Sequence, residues 1–155
     1  MNSSSKYNFQ YCQKIVVFSK DLNSVLLCKR KDEDDFNEIY TFIGGKMETS
    51  DKDIISAIQR EKDEEVGENF KAELYPKFSN NVNYIKKNGD FMILPHYYAR
   101  HIGGEIKLNE EYSGYKWVNI SDLDTFEPKI KNIPETVRIL LGLKTIMKDE
   151  DLTII

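Results

Sequence analysis

The chain has 155 residues, with 22 basic side chains against 26 acidic ones, a formal net charge of −4, and 40% apolar and 31% charged content. That length allows a chain to bury about two-thirds of its unfolded surface, enough for one core. A net negative charge with dispersed lysines argues against a nucleic-acid backbone as partner, and no apolar stretch approaches membrane-spanning length.

In chain order, Met1 to Gln10 reads as a loose leader and residues 11–155 as a single domain. Ile15 to Ser19 and Val25 to Lys29 are strand-like runs around a turn at Lys20-Asp21-Leu22-Asn23. Lys31 to Asn37 is a charged loop, and Glu38 to Ile43 is the next strand. Thr49 or Ser50 can cap a helix that Gly67 ends. Lys71 to Lys77 and Asn81 to Lys86 alternate weakly, and Lys87-Asn88-Gly89-Asp90 is a hairpin turn because Asn-Gly supplies positive φ. Phe91 to His101 predicts a long strand with Pro95 at a bulge or edge. Glu105 to Leu108 and Tyr115 to Ile120 follow as strands, with Ser121-Asp122 capping a short turn. Pro134 to Lys148 predicts a helix whose Val137, Ile139, Leu140, Leu141, Leu143 and Ile146 supply a core face. Strands on both sides of a central helix, with a second helix late, imply an α/β class: an α/β/α sandwich around a mixed sheet. Cys12 and Cys28 read as buried thiols, with a disulfide between them left open. The polar start carries no signal peptide, so a reduced cytoplasmic location is expected.

The most informative segment is Arg60-Glu61-Lys62-Asp63-Glu64-Glu65-Val66. Wound as a helix over 51–67 at about 100° per residue, Ile54, Ile55, Ala57 and Ile58 form an apolar arc. Glu61 and Glu65 project into that arc, and Glu64 lies at its flank. Lys52, Ser56, Gln59, Arg60 and Asp63 take the watery side. Acids aimed at a buried face raise one another's pKa and cost several kcal/mol unless a cation offsets them. A hard divalent ion, Mg²⁺ or Mn²⁺, suits an all-oxygen cluster. The alternative is an ordinary solvated acidic helix. Ahead of it, Gly44-Gly45 closes the run Tyr40-Thr41-Phe42-Ile43, giving a turn that approaches a ligand with no Cβ in the way.

Together these residues resemble the Nudix box, G-x5-E-x7-R-E-U-x-E-E-x-G-U with U apolar. Gly45 fits the first glycine, and Arg60-Glu61, Glu64-Glu65 and Gly67 fit the second half in register. Val25 to Arg30, Tyr40 to Lys46 and Glu111 to Val118 are similar to the flanking strands and late loop of that family, so the likeness spans roughly residues 12 to 145. Three departures stand out. The span from Gly45 to Arg60 is one residue longer than the pattern, so the first glutamate is replaced by Asp51 or lost to Lys52. Lys62 and Glu68 occupy apolar places. Lys62 is expected to lay its stem on the core edge with its ammonium in water, and Glu68 to face solvent.

The resemblance implies a divalent-metal-dependent hydrolase cleaving the pyrophosphate bond of nucleoside diphosphate-linked substrates: nucleoside triphosphates, nucleotide sugars or dinucleoside polyphosphates. It implies metal ligation by Glu61, Glu64 and Glu65 with the Gly44 carbonyl. Arg60 braces Glu64 at i+4, or is an ordinary surface pair. Glu111, beside Glu110, is the late-loop candidate for general base, against the reading that it is only solvated. Arg30, Lys46 and Tyr84 are substrate-binding candidates; Tyr84 lies 16 residues past Glu68, near a tyrosine of family members acting on dinucleoside polyphosphates. Phe42, Tyr97 and Tyr98 can stack on a base but fit packing better, and His96 and His101 read as structural. The expected partner is a small nucleotide, with no membrane and room for a homodimer. The competing function is a Nudix-fold nucleotide sensor without turnover.

Overall fold

The protein is described by a computed structural model covering residues 6–155. Among these residues eight strands form one mixed sheet, with the order β3-β2-β1-β6-β5-β8 and with β4 and β7 attached to β1 and β2. The strands are β1 (Gln10–Phe18), β2 (Ser24–Arg30), β3 (Tyr40–Thr41), β4 (Ile43–Lys46), β5 (Lys71–Ile85), β6 (Phe91–Gly103), β7 (Tyr112–Asn119) and β8 (Thr153–Ile154). The helices are α1 (Ile54–Val66) and α2 (Ile133–Leu141). The first five residues of the expected leader lie outside the described residues. Its end is not loose: Phe9 packs edge-on against Phe91 at 5.5 Å, and Gln10 opens β1.

β1 is central and buried on both faces, which is why it reads as a near-continuous apolar run. It pairs with β6 in parallel and with β4 antiparallel. Alternate side chains serve two cores. Ile15 and Val17 join Ile58 and Val66 of α1 on one face, while Val16 and Phe18 join Ile133, Val137 and Leu140 of α2 on the other. One helix on each face of a mixed sheet is the sandwich expected. Burying Ile58 fully stabilises by about 2 kcal/mol. Among the described residues no helix is long and apolar enough to cross a membrane. Cys12 and Cys28 are buried and unbridged.

Several boundaries move. The helix cap is Asp53, whose Oδ1 accepts the Ser56 N–H at 2.7 Å, rather than Thr49 or Ser50. Gly67 does end the helix, at φ 98°. The glycine pair does not form a turn; Gly44 and Gly45 sit inside β4. A Cβ at Gly44 would stand 2.0 Å from the Gln13 carbonyl oxygen, so β4 hugs β1 only without one. Residues 71–85 form one strand with an irregularity between Tyr75 and Asn80. The turn at Asn88-Gly89 is as expected, with Gly89 at φ 93°. Pro95 lies in an interior strand, where pairing with β1 skips from Tyr11↔Ile93 to Lys14↔His96 and no amide is required.

Glu105 to Leu108 is not a strand; the Lys107 amide, and that of Asn109 just beyond, bond to the Val66 and Glu65 carbonyls at 2.9 and 3.2 Å, closing the end of α1. β7 starts at Tyr112 and is followed by β8, and Asn119 rather than Ser121 caps the short turn at Ile120–Asp122. α2 stops at Leu141, where the chain tightens into a 3-10 turn at Gly142; Ile146 beyond it is exposed, and Ile139 within α2 faces outward, so neither joins the core. Gly44→Ala combines left-handed-region φ of 141° with that backbone clash; we expect chemical denaturation to show a loss of at least about 2 kcal/mol.

Candidate active site

Four-residue spacing puts Glu61 and Glu65 one above the other on the face of α1 that packs against β4. Both are buried, at 8% and 1% exposure. Glu61 lies directly on the glycine backbone: a Cβ at Gly45 would come within 2.1 Å of its Oε2. Glu65 accepts the Gly44 N–H at 3.3 and 3.2 Å and the Tyr112 hydroxyl. Burial pushes the Glu65 carboxyl up to about 8, against the opposing pull of Tyr112, Lys14 and the Gly44 amide, with the charge of Glu111 adding to the rise. Burial also raises Glu61, opposed by Arg60. Glu64 is more than half exposed, at the flank as predicted.

Arg60 does not take the watery side. Its Nε and Nη2 grip Asp51 at 2.8 and 2.9 Å, and its Nη1 reaches Glu61 at 2.9 Å and Glu64 at 3.4 Å. It also donates to the Lys46 carbonyl at 3.1 Å. The guanidinium holds the Asp51 carboxyl down at about 2. Asp51 therefore stands where the pattern has its first glutamate, and the extra residue falls between it and Arg60, ahead of the late helix start. Lys62 contradicts its expectation. It is fully buried, and its ammonium donates to the Phe70 and Gly67 carbonyls at 2.7 and 3.3 Å. The turn after α1 brings orphan carbonyls within reach of its stem, so the head is satisfied without water.

Glu111 lies at the rim of the cluster, its carboxyl raised by burial and by Glu33. Arg30, Lys46 and Tyr84 converge on one cavity of about 330 Å³, beside Lys14, Phe42 and His96. Arg30 pairs with Glu33 at 3.1 Å. The Tyr84 hydroxyl is engaged by Asp35, and its ring packs on Phe36 at 5.2 Å. Tyr98 packs on Phe18 and Tyr97 bonds Tyr11, so Phe42 alone of the three stacking candidates lines the cavity. Burial pushes His96 down to about 4, neutral. His101 is stacked between Phe70 and Trp117.

Three residues escaped sequence reading. Lys14 was legible, as the lone charge in β1; Tyr112 and Asp35 carried no signal beyond their neighbours. Among the described residues no three acid, histidine or cysteine side chains already stand ready to share a metal ion. The donor chemistry nevertheless fits a hard divalent cation: paired carboxylate oxygens whose pKa values are raised by burial.

Solved structures share this fold. The MutT protein from Methanosarcina mazei Go1 superposes at a TM-score of 0.71 with 15% identity, covering 88% of this chain and 95% of that one. A Caenorhabditis elegans (C. elegans) Ap4A hydrolase binary complex gives 0.71 and 15%, covering 89% and 99%. The NUDIX domain of Shewanella oneidensis NrtR, complexed with ADP ribose, gives 0.66 and 16%, covering 94% and 92%. A comparison with curated proteins finds no match. The NUDIX domain family model matches residues 11–138. The sheet, the two helices, the glycine strand and the acid helix thus have their counterpart in sequence, and the chain belongs to the Nudix family of pyrophosphohydrolases.

Proposed function

We propose that this chain hydrolyses the pyrophosphate bond of a nucleoside diphosphate linked to a further group, using Mg²⁺ with Mn²⁺ as substitute. The class takes in nucleoside triphosphates, nucleotide sugars and dinucleoside polyphosphates. The observation that carries the reading is the placement of the buried Glu61 and Glu65 pair beside a cavity lined by Lys14, Arg30 and Lys46. Nudix hydrolases use divalent metal ions. When bound, such an ion neutralises phosphate oxygens and lowers the pKa of water. Glu61, Glu64 and Glu65, with the Gly44 carbonyl, are the groups that would hold it.

Arg60, clamped by Asp51, fixes the Glu61 and Glu64 carboxylates, so it is a positioning residue. Arg30 and Lys46 draw the phosphates towards the acids, and Tyr84 forms a wall through Asp35. Glu111 accepts the proton of the attacking water, whose oxygen bonds to one phosphorus as the bridging oxygen leaves with the other phosphate. Neighbours described with Ap4A hydrolase activity or with bound ADP ribose favour a nucleotide at this site. The intact Glu61, Glu64 and Glu65 favour turnover over a sensor.

Turnover of ATP, ADP-ribose and a dinucleoside polyphosphate with Mg²⁺ tests the proposal; binding of all three without cleavage would indicate the sensor. Glu65→Gln should lower kcat by at least about a hundredfold with the fold retained by circular dichroism, and near-normal turnover would contradict the assignment. Glu111→Gln should lower kcat by about a hundredfold and remove the acidic limb of its pH profile.

Stability gives a separate check. Burial pushes the Glu65 carboxyl from its ordinary 4.5 up to about 8. Its raised value means that its favourable contribution is full below about pH 4.5 and lost as pH rises through about 8. In chelator, Glu65→Gln should gain on the wild type between pH 5 and 9, roughly the window of that ionisation, and Mg²⁺ should restore the wild type. A gap that stays flat with pH would remove this account of Glu65.

A further inference from the structure

The cavity beside the acids is more basic than one diphosphate requires. Lys14, Arg30, Lys46, Lys86 and Lys131 line it against a single carboxylate, Asp35. Asp35 is already taken by the Tyr84 hydroxyl and by the Lys87 amide at 3.2 Å. Among the described residues the four lysines make no side-chain ion pair, and Arg30, though paired with Glu33, keeps its Nε buried without a partner.

Lys14 is the deepest of these cations, 8% exposed. It sits on β1 opposite Gly44, and among the described residues its ammonium has no hydrogen-bond partner. The acids whose fields it feels, Glu65 and Glu111, lie beyond ion-pair distance. Among the described residues that ammonium has no carboxylate in ion-pair reach, and the apolar Phe42, Met92 and Leu94 that line the same cavity strengthen any charge pairing that does form. Each added phosphate brings about one to two negative charges.

We propose that the cavity selects nucleotides bearing phosphate groups beyond the two of the scissile bond, and that Lys14 is the residue that discriminates them. This rests on the pyrophosphohydrolase reading and narrows its substrate. The extra phosphates reach Lys14 either along one chain or from the ribose; both supply the same anionic oxygens.

The test compares kcat/KM for adenosine 5′-tetraphosphate, for ATP carrying a 3′-phosphate, and for ADP-ribose, in wild type, Lys14→Met and Lys14→Arg. Wild type should prefer at least one of the first two over ADP-ribose by about tenfold or more, and which one identifies the source of the charge. Lys14→Met should bring the ratio close to one, and Lys14→Arg should keep it. The same ratio in wild type and Lys14→Met overturns the inference while leaving pyrophosphate hydrolysis intact. No cleavage of any of the three overturns the hydrolase reading instead.

A second measurement needs neither metal nor turnover. Cys12 lines the cavity, and its alkylation, mapped by mass spectrometry, should slow about tenfold with inorganic tripolyphosphate in wild type. Unchanged alkylation overturns the inference even where Lys14→Met fails to fold.

Discussion

Glu65 sits between the Gly44 amide, the Tyr112 hydroxyl and the last turn of α1, with its neighbour Glu61 pressed against Gly45. Withdrawing two carboxylates from water costs several kcal/mol, and the protein partners recover only part of it. That deficit organises what surrounds it. β4 must be glycine where the acids lie, β1 must run close behind it, and α1 must be anchored firmly enough to keep the acids from turning outwards. Ile58 and Val66 on the same helical face supply that anchor. A well-packed helix thus holds in place groups that would prefer water, which is the usual relation between a scaffold and a site whose electrostatics are left unbalanced.

The Asp51–Arg60 pair links this constraint to the loop. A bidentate grip by a planar guanidinium fixes orientation as well as charge, so Arg60 can hold Asp51 with one edge and lean on Glu61 and Glu64 with Nη1. A loop lengthened by one residue is tolerable because the grip is made by side chains at its two ends. Between them the backbone is free to absorb the extra residue ahead of the Asp53 cap.

Much of this was legible before any coordinates. The inward phase of Glu61 and Glu65 followed from helical spacing, and the sheet with a helix on each face followed from the order of apolar runs. What could not be read depended on tertiary partners. Lys62 was expected in water because nothing local shows that the turn to Phe70 returns to meet it. Arg60 was placed on the solvent side by its Cα direction, yet its long side chain folds back to Asp51. Gly44 and Gly45 read as a turn in the sequence, since a strand that needs glycine for close approach to another strand looks the same there as one that is bending. Tyr112 and Lys14 belong to the site only because β7 and β1 bring them there from distant parts of the chain.

The parallel pairing of β1 with β6 has a consequence for how the molecule assembles. Gln10 lies beside Met92 and Phe18 beside Arg100, so one side of the central strand has no neighbour until β6 has been made. On a ribosome, this apolar strand emerges well before its parallel partner and waits for it, with only the β2 and β4 segments to shield it. Such long-range closure slows folding and leaves a sticky edge open in the interval. A nascent chain halted short of β6 would therefore be a natural client for a chaperone.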